Sequence, residues 1–164
     1  MVRIAVISDT HGHLENLSKV QAELGRVDWL IHAGDFLRDA APLAKRLGLP
    51  SDRVRAVVGN CDYPITEPVQ DLFELEGVRI LLTHGHHFGV KHTLDRIYYR
   101  AQEARAAVVV FGHSHMAVNA PERGILLFNP GSLSTPRLPG EKPSCGLLEL
   151  EGGKVAGRIL KAIG

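Results

Sequence analysis

Histidine, aspartate and asparagine residues are concentrated in a few short turns of this sequence that also contain glycine. The chain has nine histidines among 164 residues, which is a high proportion. Histidines that cluster in turns favour a chemical role, because neutral imidazole is the commonest metal ligand in proteins. Five such turns follow one another: Asp9-Thr10-His11, Gly34-Asp35, Gly59-Asn60-Cys61-Asp62, Thr83-His84-Gly85-His86 and Gly112-His113-Ser114-His115.

These side chains have the chemistry of a transition-metal site. Carboxylate, imidazole and amide donors together suit divalent ions such as Mn, Fe, Co, Ni or Zn. No set of thiolates is present, so a structural zinc site is a poor fit. The donors are too many for one ion and about right for two, which a shared carboxylate would hold about 3.5–4 Å apart. The predicted metal ligands are Asp9, His11, Asp35, Asn60, His84, His113 and His115.

A pair of such ions would favour an anionic substrate. Two divalent cations outweigh the charges of two aspartates and a bridging hydroxide, so the centre would attract a phosphate ester. The basic stretch 91–100 is either a rim that meets this substrate or the solvated face of a helix, and the second interpretation is favoured. The sequence therefore predicts a small phosphoester substrate.

Taken singly, each motif also has an ordinary structural explanation. Asp-x-His after a strand can be a helix-capping turn, and Gly-Asp and Gly-Asn are common turn dipeptides. Only their joint occurrence, in order and each after an apolar run, favours a metal centre. A structural or surface role is predicted for the remaining histidines that cluster near these turns, which are His13, His32, His87 and His92.

The turns must be positioned by the apolar runs that precede them. Runs of three to six apolar-rich residues read as strands buried on both faces, and they cover residues 2–7, 29–31, 54–58, 78–82 and 106–111. Ligands in open α/β sheets bind outside the carboxyl ends of the strands. If these strands are neighbours, we expect the candidate ligands to converge on one edge of the sheet.

The remaining pattern predicts helices and hairpins around these strands. Helical spacing of apolar residues covers 14–24, 40–47 and 93–104, which indicates an α/β domain. Hairpins are predicted where strand-like pairs flank turn residues, at 72–75 with 78–82, 116–119 with 125–128, and 147–150 with 155–160. We expect one mostly parallel and one mostly antiparallel sheet, packed face to face with helices outside.

Composition limits the class of protein. Hydrophobic residues make up 45% of the chain and charged residues 23%, which is ordinary for a globular protein, and we predict one domain over residues 1–164. A net charge of +1 without blocks of like charge argues against a nucleic-acid-binding tail or a membrane-surface patch. Cys61 and Cys145 form no disulfide framework, and no run resembles a signal peptide or membrane span. We therefore expect a cytoplasmic protein.

The five motifs resemble those of the calcineurin-like metallophosphoesterase superfamily. The short chain, the Gly-Asn-Cys-Asp form of the third motif and Asn129-Pro130-Gly131-Ser132 are similar to its small bacterial and archaeal YfcE-type phosphodiesterase branch. The resemblance covers nearly the whole chain. It implies a four-layer αββα sandwich of two mixed β-sheets flanked by helices, and a homo-oligomer, either a dimer or a tetramer.

The resemblance also implies a division of the ligands between two divalent ions, with manganese expected. Matching positions assign Asp9, His11, Asp35 and His115 to the first ion. They assign Asp35, Asn60, His84 and His113 to the second, so that Asp35 bridges the dinuclear centre. In such enzymes a hydroxide between the ions attacks phosphorus in line with the leaving alkoxide.

One position departs from the wider superfamily. Many members carry a histidine where this chain has Cys61, and that histidine is thought to protonate the leaving group. A thiol beside cations is a poor proton donor, because the cations favour its thiolate, so slow turnover or a good leaving group is expected. His86 is a possible substitute acid or phosphate contact. The predicted catalytic residues are Asn60, Cys61 and His86.

Three functions remain open at this point. The favoured one is a two-metal phosphodiesterase, and the sequence does not separate it from a phosphomonoesterase on the same centre. The third is an assembly scaffold, because the retromer subunit Vps29 resembles this branch but has an impaired metal site. The complete set of candidate ligands favours an enzyme.

Overall fold

The computed structural model of the protein describes residues 1–64 and 68–163. Its strands are β1 (Val2–Ile7), β2 (Trp29–His32), β3 (Val54–Ala56), β4 (Gln70–Leu75), β5 (Val78–Thr83), β6 (Val108–Val110), β7 (Val118–Glu122), β8 (Ile125–Asn129), β9 (Ser144–Glu151) and β10 (Lys154–Lys161). The α-helices are α1 (Leu17–Leu24), α2 (Ala40–Arg46) and α3 (Asp95–Glu103), and the 3₁₀ turns are Leu37–Asp39 and Ser51–Arg53.

The strands form two five-stranded sheets, and both sheets are mixed. In the first, with the order β10-β9-β1-β2-β3, β1, β2 and β3 are parallel, whereas β9 is antiparallel to β1 and β10. In the second, with the order β4-β5-β6-β8-β7, β5, β6 and β8 are parallel and each outer pair is antiparallel. The expectation of one mostly parallel and one mostly antiparallel sheet is therefore wrong. Each sheet joins a parallel centre, which needs crossover connections, to strands paired through tight hairpins.

The two sheets pack face to face through a shared apolar core. Ile4 and Val6 of β1 belong to the same buried cluster as Ile80 and Leu82 of β5, because alternate side chains of a strand point to opposite faces. The other face of the first sheet packs against α1 and α2, and the outer face of the second packs against α3. The layers therefore run helix, sheet, sheet, helix, and the predicted αββα sandwich is confirmed.

Several boundaries differ from the sequence prediction, and those of α1 and β7 have a clear structural reason. Helix α1 begins at Leu17, because Leu14 and Glu15 lie in the preceding turn. Strand β7 extends through Pro121, which had been assigned to a turn and which lies opposite Leu126 of β8. Strand β7 is at the edge of its sheet, where a proline is tolerated because its missing N–H leaves no bond to a further strand unmade. In the part of the chain that the structure describes, no helix has the length and apolar character needed to span a bilayer.

Candidate metal centre

The candidate ligands follow the carboxyl ends of strands in both sheets. Asp9 and His11 follow β1 and Asp35 follows β2, while Asn60 comes four residues after the end of β3, all in the first sheet. The others follow β5 and β6 of the second sheet, and they are His84, His113 and His115. The expectation of a single sheet edge is therefore corrected: the site lies where the carboxyl ends of two packed sheets meet.

The ligand atoms form two groups that share one carboxylate. Asp9, His11, Asp35 and His115 each offer one donor atom within 4.8 Å of the others. Asp35, His84 and His113 form a second group under the same limit. Asn60 adjoins this second group, since its Oδ1 lies 3.1 Å from Nε2 of His84. All seven predicted ligands are thus brought together, and Asp35 is common to both groups.

Asp9 presents one carboxylate oxygen to the site and uses the other for support. Its Oδ2 accepts hydrogen bonds from the Ser8 hydroxyl and, at 3.1 Å, from the main-chain N–H of His113. Its Oδ1 lies 3.3 Å from Nε2 of His115 and 3.8 Å from Nε2 of His84. The carboxylate is therefore fixed in orientation, with one oxygen facing the imidazoles.

Asp35 is arranged in the same way. Its Oδ1 accepts a 2.9 Å hydrogen bond from the main-chain N–H of Cys61. Its Oδ2 lies 3.4 Å from Nε2 of His84 and 3.8 Å from Nε2 of His11. One carboxylate thus faces a histidine of each group, which is the position a bridging ligand requires.

Two histidines are oriented through their second ring nitrogen. Nδ1 of His84 lies 2.8 Å from the carbonyl oxygen of Ala33, and Nδ1 of His115 lies 2.8 Å from that of Thr135. A carbonyl only accepts, so each Nδ1 carries the proton, and in the neutral ring Nε2 keeps its lone pair available for a metal ion. This support is typical of metal-binding histidines, because it fixes both tautomer and ring direction.

The carboxylates and imidazoles shift one another's pKa. Burial acts to lower the pKa of His84, but its hydrogen bond to Asp35 and the charge of Asp9 outweigh burial and raise it. The contact with the Asp9 carboxylate, 3.3 Å from Oδ1 to Nε2, likewise raises the pKa of His115. Burial acts to raise the pKa of Asp35, but the hydrogen bond and charge of His84 lower it. Burial and the charge of His84 lower the pKa of His113 to about 4.

Unpartnered polar atoms test whether these residues fit metal ions. Oδ1 of Asp9 and Nε2 of His11 are buried and lack a hydrogen-bond partner among the described residues. Leaving such atoms unpaired costs free energy, about 1–3 kcal/mol for each group. A divalent cation would satisfy both atoms, and the mixture of oxygen and imidazole donors suits first-row ions. The residues present therefore fit the metals that their chemistry implies.

The backbone of the ligand turns is strained. Asp9, His11, Asp35, His113 and His115 all have positive φ angles, between 48° and 70°. Residues other than glycine seldom adopt this region, and such strain concentrates at functional sites. The backbone of two neighbouring turns also passes too close to these residues to carry a side chain. A Cβ atom on Gly59 would clash with Oδ1 of Asp35, and one on Gly112 would clash with Ser8 and Asp9.

Asp62 supports the centre in a way that sequence reasoning missed. Its Oδ2 accepts the main-chain N–H groups of Asp35 at 3.0 Å and Gly59 at 2.8 Å, and its Oδ1 accepts that of Leu37 at 2.8 Å. The carboxylate therefore ties the turn after β2 to the turn after β3. Ser132 plays a similar part, because its hydroxyl donates to the Asp9 carbonyl oxygen at 2.8 Å. The available signal was the aspartate that ends the Gly59-Asn60-Cys61-Asp62 motif.

The predicted catalytic residues lie beside the ligands. Cys61 is exposed, and the partial desolvation of its thiol together with the charge of Asp35 raises its pKa. His86 is half-buried, its Nδ1 has no hydrogen-bond partner among the residues that the structure describes, and its ring centroid lies 5.3 Å from that of His84. Burial lowers the pKa of His86. Both residues therefore border the centre.

The other four histidines lie outside the ligand groups. His13, His87 and His92 are exposed. His32 is fully buried, where its Nδ1 accepts the N–H of Gly34 at 3.2 Å and its Nε2 lies 3.1 Å from the Thr10 hydroxyl. Its role is structural, since it links the turns that carry Asp9 and Asp35.

Comparison with known proteins places the chain among phosphoesterases. A model of the calcineurin-like phosphoesterase superfamily domain matches residues 2–153. The chain is 40% identical over 139 residues to "Probable metallophosphoesterase YsnB" of Bacillus subtilis, covering 84% of this chain and 78% of that protein. It is 37% identical to "Phosphodiesterase YfcE" of Escherichia coli K12, in an alignment that covers 91% of this chain and 88% of that protein.

Solved structures share the same architecture. A predicted phosphoesterase of Streptococcus pneumoniae superposes with a TM-score of 0.79 at 32% identity, over 98% of this chain and 89% of that one. Zinc-bound Vps29 of Entamoeba histolytica superposes with a TM-score of 0.75 at 19% identity, over 98% and 99% of the two chains, a likeness of fold alone. The family match and the identity to the bacterial proteins establish that this chain belongs to the calcineurin-like phosphoesterase superfamily.

Proposed function

We propose that the chain is a metal-dependent phosphodiesterase that works through two divalent ions held side by side. The observation that carries this proposal is the sharing of Asp35 between the two ligand groups, since each group by itself could belong to a mononuclear site. The membership of the phosphoesterase superfamily supports the reaction class.

The first ion would be held by Asp9, His11, Asp35 and His115. The second would be held by Asp35, Asn60, His84 and His113. This division follows the two groups of donor atoms and the proximity of the Asn60 amide oxygen to His84. Manganese is the ion proposed from the family resemblance, and the mixed carboxylate, amide and imidazole donors suit it along with other first-row divalent ions.

When bound, a pair of such ions supplies Lewis acidity at phosphoryl oxygens and lowers the pKa of a coordinated water. The residues of the chain set the geometry for this chemistry. Ser8 and the His113 N–H fix Asp9, and the Cys61 N–H fixes Asp35. His86 lies at the edge of the centre, and within the described part of the chain its Nδ1 has no hydrogen-bond partner. From there it would contact the phosphoryl group or donate a proton to the leaving alkoxide.

Diesters are proposed in preference to monoesters because of the relative named phosphodiesterase YfcE. The scaffold alternative draws on the Vps29 structures, but their identity to this chain is only 16–19% and carries the fold alone. A complete set of seven donor residues, with support from a second shell of hydrogen bonds, favours catalysis.

The proposal is tested by loading purified protein with Mn²⁺, removing free metal and measuring bound ions and rates together. We expect about two ions per chain and faster turnover of bis(p-nitrophenyl) phosphate than of p-nitrophenyl phosphate. Fewer than one ion per chain would support a scaffold, and preference for the monoester would make the protein a phosphomonoesterase.

A further inference from the structure

A cleft of about 440 Å³ opens directly beside the metal centre. Its lining includes Phe36, Arg38, Cys61 and Tyr63. The volume falls within the range of about 300–1,000 Å³ that is typical of small-molecule sites. No residue of the proposed metal centre is among those that line it, so the cleft is a separate space next to the ions.

Phe36 forms the wall between this cleft and the metal centre. It follows Asp35 in the chain, and its ring centroid lies 5.2 Å from that of His11. Cys61 connects the cleft to the same carboxylate, since its N–H donates to Asp35. A phosphoester at the ions would therefore direct one of its two ester groups into the cleft.

Phe36 is held in an unfavourable backbone conformation. Its φ angle is 64°, which is rare for a bulky residue. Asp62 enforces this turn by accepting the N–H groups of both chain neighbours, Asp35 and Leu37. The ring nevertheless remains half-exposed and does not enter the core. Strain that presents an apolar ring to a cleft, without burying it, indicates a binding role.

Arg38 and Tyr63 complete an aromatic and cationic surface. The Arg38 guanidinium carbon lies 4.5 Å from the centroid of the Phe36 ring. Arg38 forms no ion pair with the residues that the structure describes, so its N–H donors are available to a ligand. The side chain of Tyr63 is 95% exposed and offers a second ring at the mouth.

We infer that the cleft binds an aromatic, hydrogen-bond-accepting ester group of the substrate, and that a nucleoside is the chemistry it fits. The base would cover the rings of Phe36 and Tyr63, and its oxygen and nitrogen acceptors would meet the guanidinium of Arg38. This inference rests on the proposed phosphodiesterase function, because the ions are what anchor the phosphoryl group beside the cleft.

The test compares two phosphate monoesters that differ only in the group that would enter the cleft. Dissociation constants of thymidine 5′-phosphate and methyl phosphate are measured by calorimetry on Mn²⁺-loaded protein. The wild type should bind the nucleotide about tenfold more tightly, because stacking of one base on aromatic side chains contributes on that order. Phe36→Leu and Arg38→Gln should each reduce this preference to about twofold.

Arg123→Gln is the matched control, because Arg123 is an exposed arginine in the turn between β7 and β8, and it should keep the tenfold preference. Thermal melting checks that Phe36→Leu folds, and Arg38→Gln changes an exposed side chain. Equal affinity of the wild type for both ligands, or a preference that survives both variants, overturns the inference. Hydrolysis of bis(p-nitrophenyl) phosphate is measured in parallel. A protein that hydrolyses this diester but binds both ligands equally would overturn the inference about the cleft and leave the proposed function standing.

Discussion

The carboxylate of Asp62 holds the main chain of Asp35 and leaves the Asp35 carboxylate free: Oδ2 of Asp62 accepts the Asp35 N–H at 3.0 Å. The same oxygen accepts the Gly59 N–H, and the other oxygen accepts that of Leu37. One carboxylate therefore sets the positions of two turns that carry proposed ligands without offering a donor to either group. Residues that orient ligands in this way affect metal affinity strongly.

Asp62→Asn should weaken metal binding while the protein stays folded. The amide keeps one acceptor oxygen but places an NH₂ group against main-chain N–H donors, so at least one of the three hydrogen bonds is lost. We expect Mn²⁺ affinity to fall about 10- to 100-fold, measured by calorimetry on chelator-treated protein. Asp52→Asn, in the exposed turn Ser51–Arg53, is the control and should leave affinity unchanged. Equal affinities for both variants would remove Asp62 from the support of the centre.

Asp35→Ala should abolish the binding of both ions, because its carboxylate belongs to both donor groups. Metal analysis by mass spectrometry reads this out without any assay of activity. Asp95→Ala, which changes an exposed residue in the first turn of α3, should keep two ions per chain. Retention of two ions in the Asp35 variant would show that this residue does not bridge them.

His86→Gln and His87→Gln form a matched pair of adjacent substitutions. Nδ1 of His86 is buried beside the centre, whereas His87 is exposed. Proton donation by a positioned side chain typically contributes 10²–10⁴-fold, so we expect kcat on a diester to fall about 100-fold in the His86 variant and to be unaltered in the His87 variant. Metal content should be the same in both. A loss of ions from His86→Gln would assign that residue to metal binding instead of catalysis.

Stability at acid pH should depend on His32. Burial lowers its pKa from 6.5 to about 4, against the charges of Asp9, Asp62 and Asp39, which act to raise it. The unfolded chain then binds more protons than the folded chain between these two values, so the free energy of unfolding falls as the pH drops through this window. The contribution amounts to roughly 2–3 kcal/mol between about pH 7.5 and 4.5.

This contribution is measured by denaturant unfolding of the chelator-treated wild type and of His32→Asn, each at about pH 7.5 and about pH 4.5. The asparagine retains an acceptor for the Gly34 N–H but has no titrating group, and the acidic residues titrate in both proteins. The wild type should therefore lose more stability on acidification than the variant does. Identical losses would mean that His32 is protonated in the folded protein.

The strands and the positions of the candidate ligands at their ends were predictable because both leave a local pattern. Apolar runs end abruptly at Asp9, Asp35 and His84, and the structure ends β1, β2 and β5 within three residues of them. The α-helices follow the same logic, since Leu17, Val20 and Leu24 have helical spacing and are buried. Local patterns of this kind report which face of an element is buried.

The arrangement of the strands was not predictable in the same way. Nothing local in the sequence states that β5 and β6 belong to a different sheet from β1 and β2, because pairing is decided by contacts between distant segments. The left-handed backbone of His113 and His115 was equally hidden, since these residue types do not require it. The supporting role of Asp62 depends on N–H groups more than 20 residues away.

The candidate donor residues come from both layers of the sandwich, so the proposed ions would have a mechanical part as well as a chemical one. At this end of the molecule hydrogen bonds join the two layers, among them those from His113 to Asp9 and from His84 to Ala33. Two cations bound by residues of both sheets would cross-link the sheets and resist their separation. Chelation should therefore speed amide exchange first in the turns after β1, β2 and β6, and replenished Mn²⁺ should restore their protection.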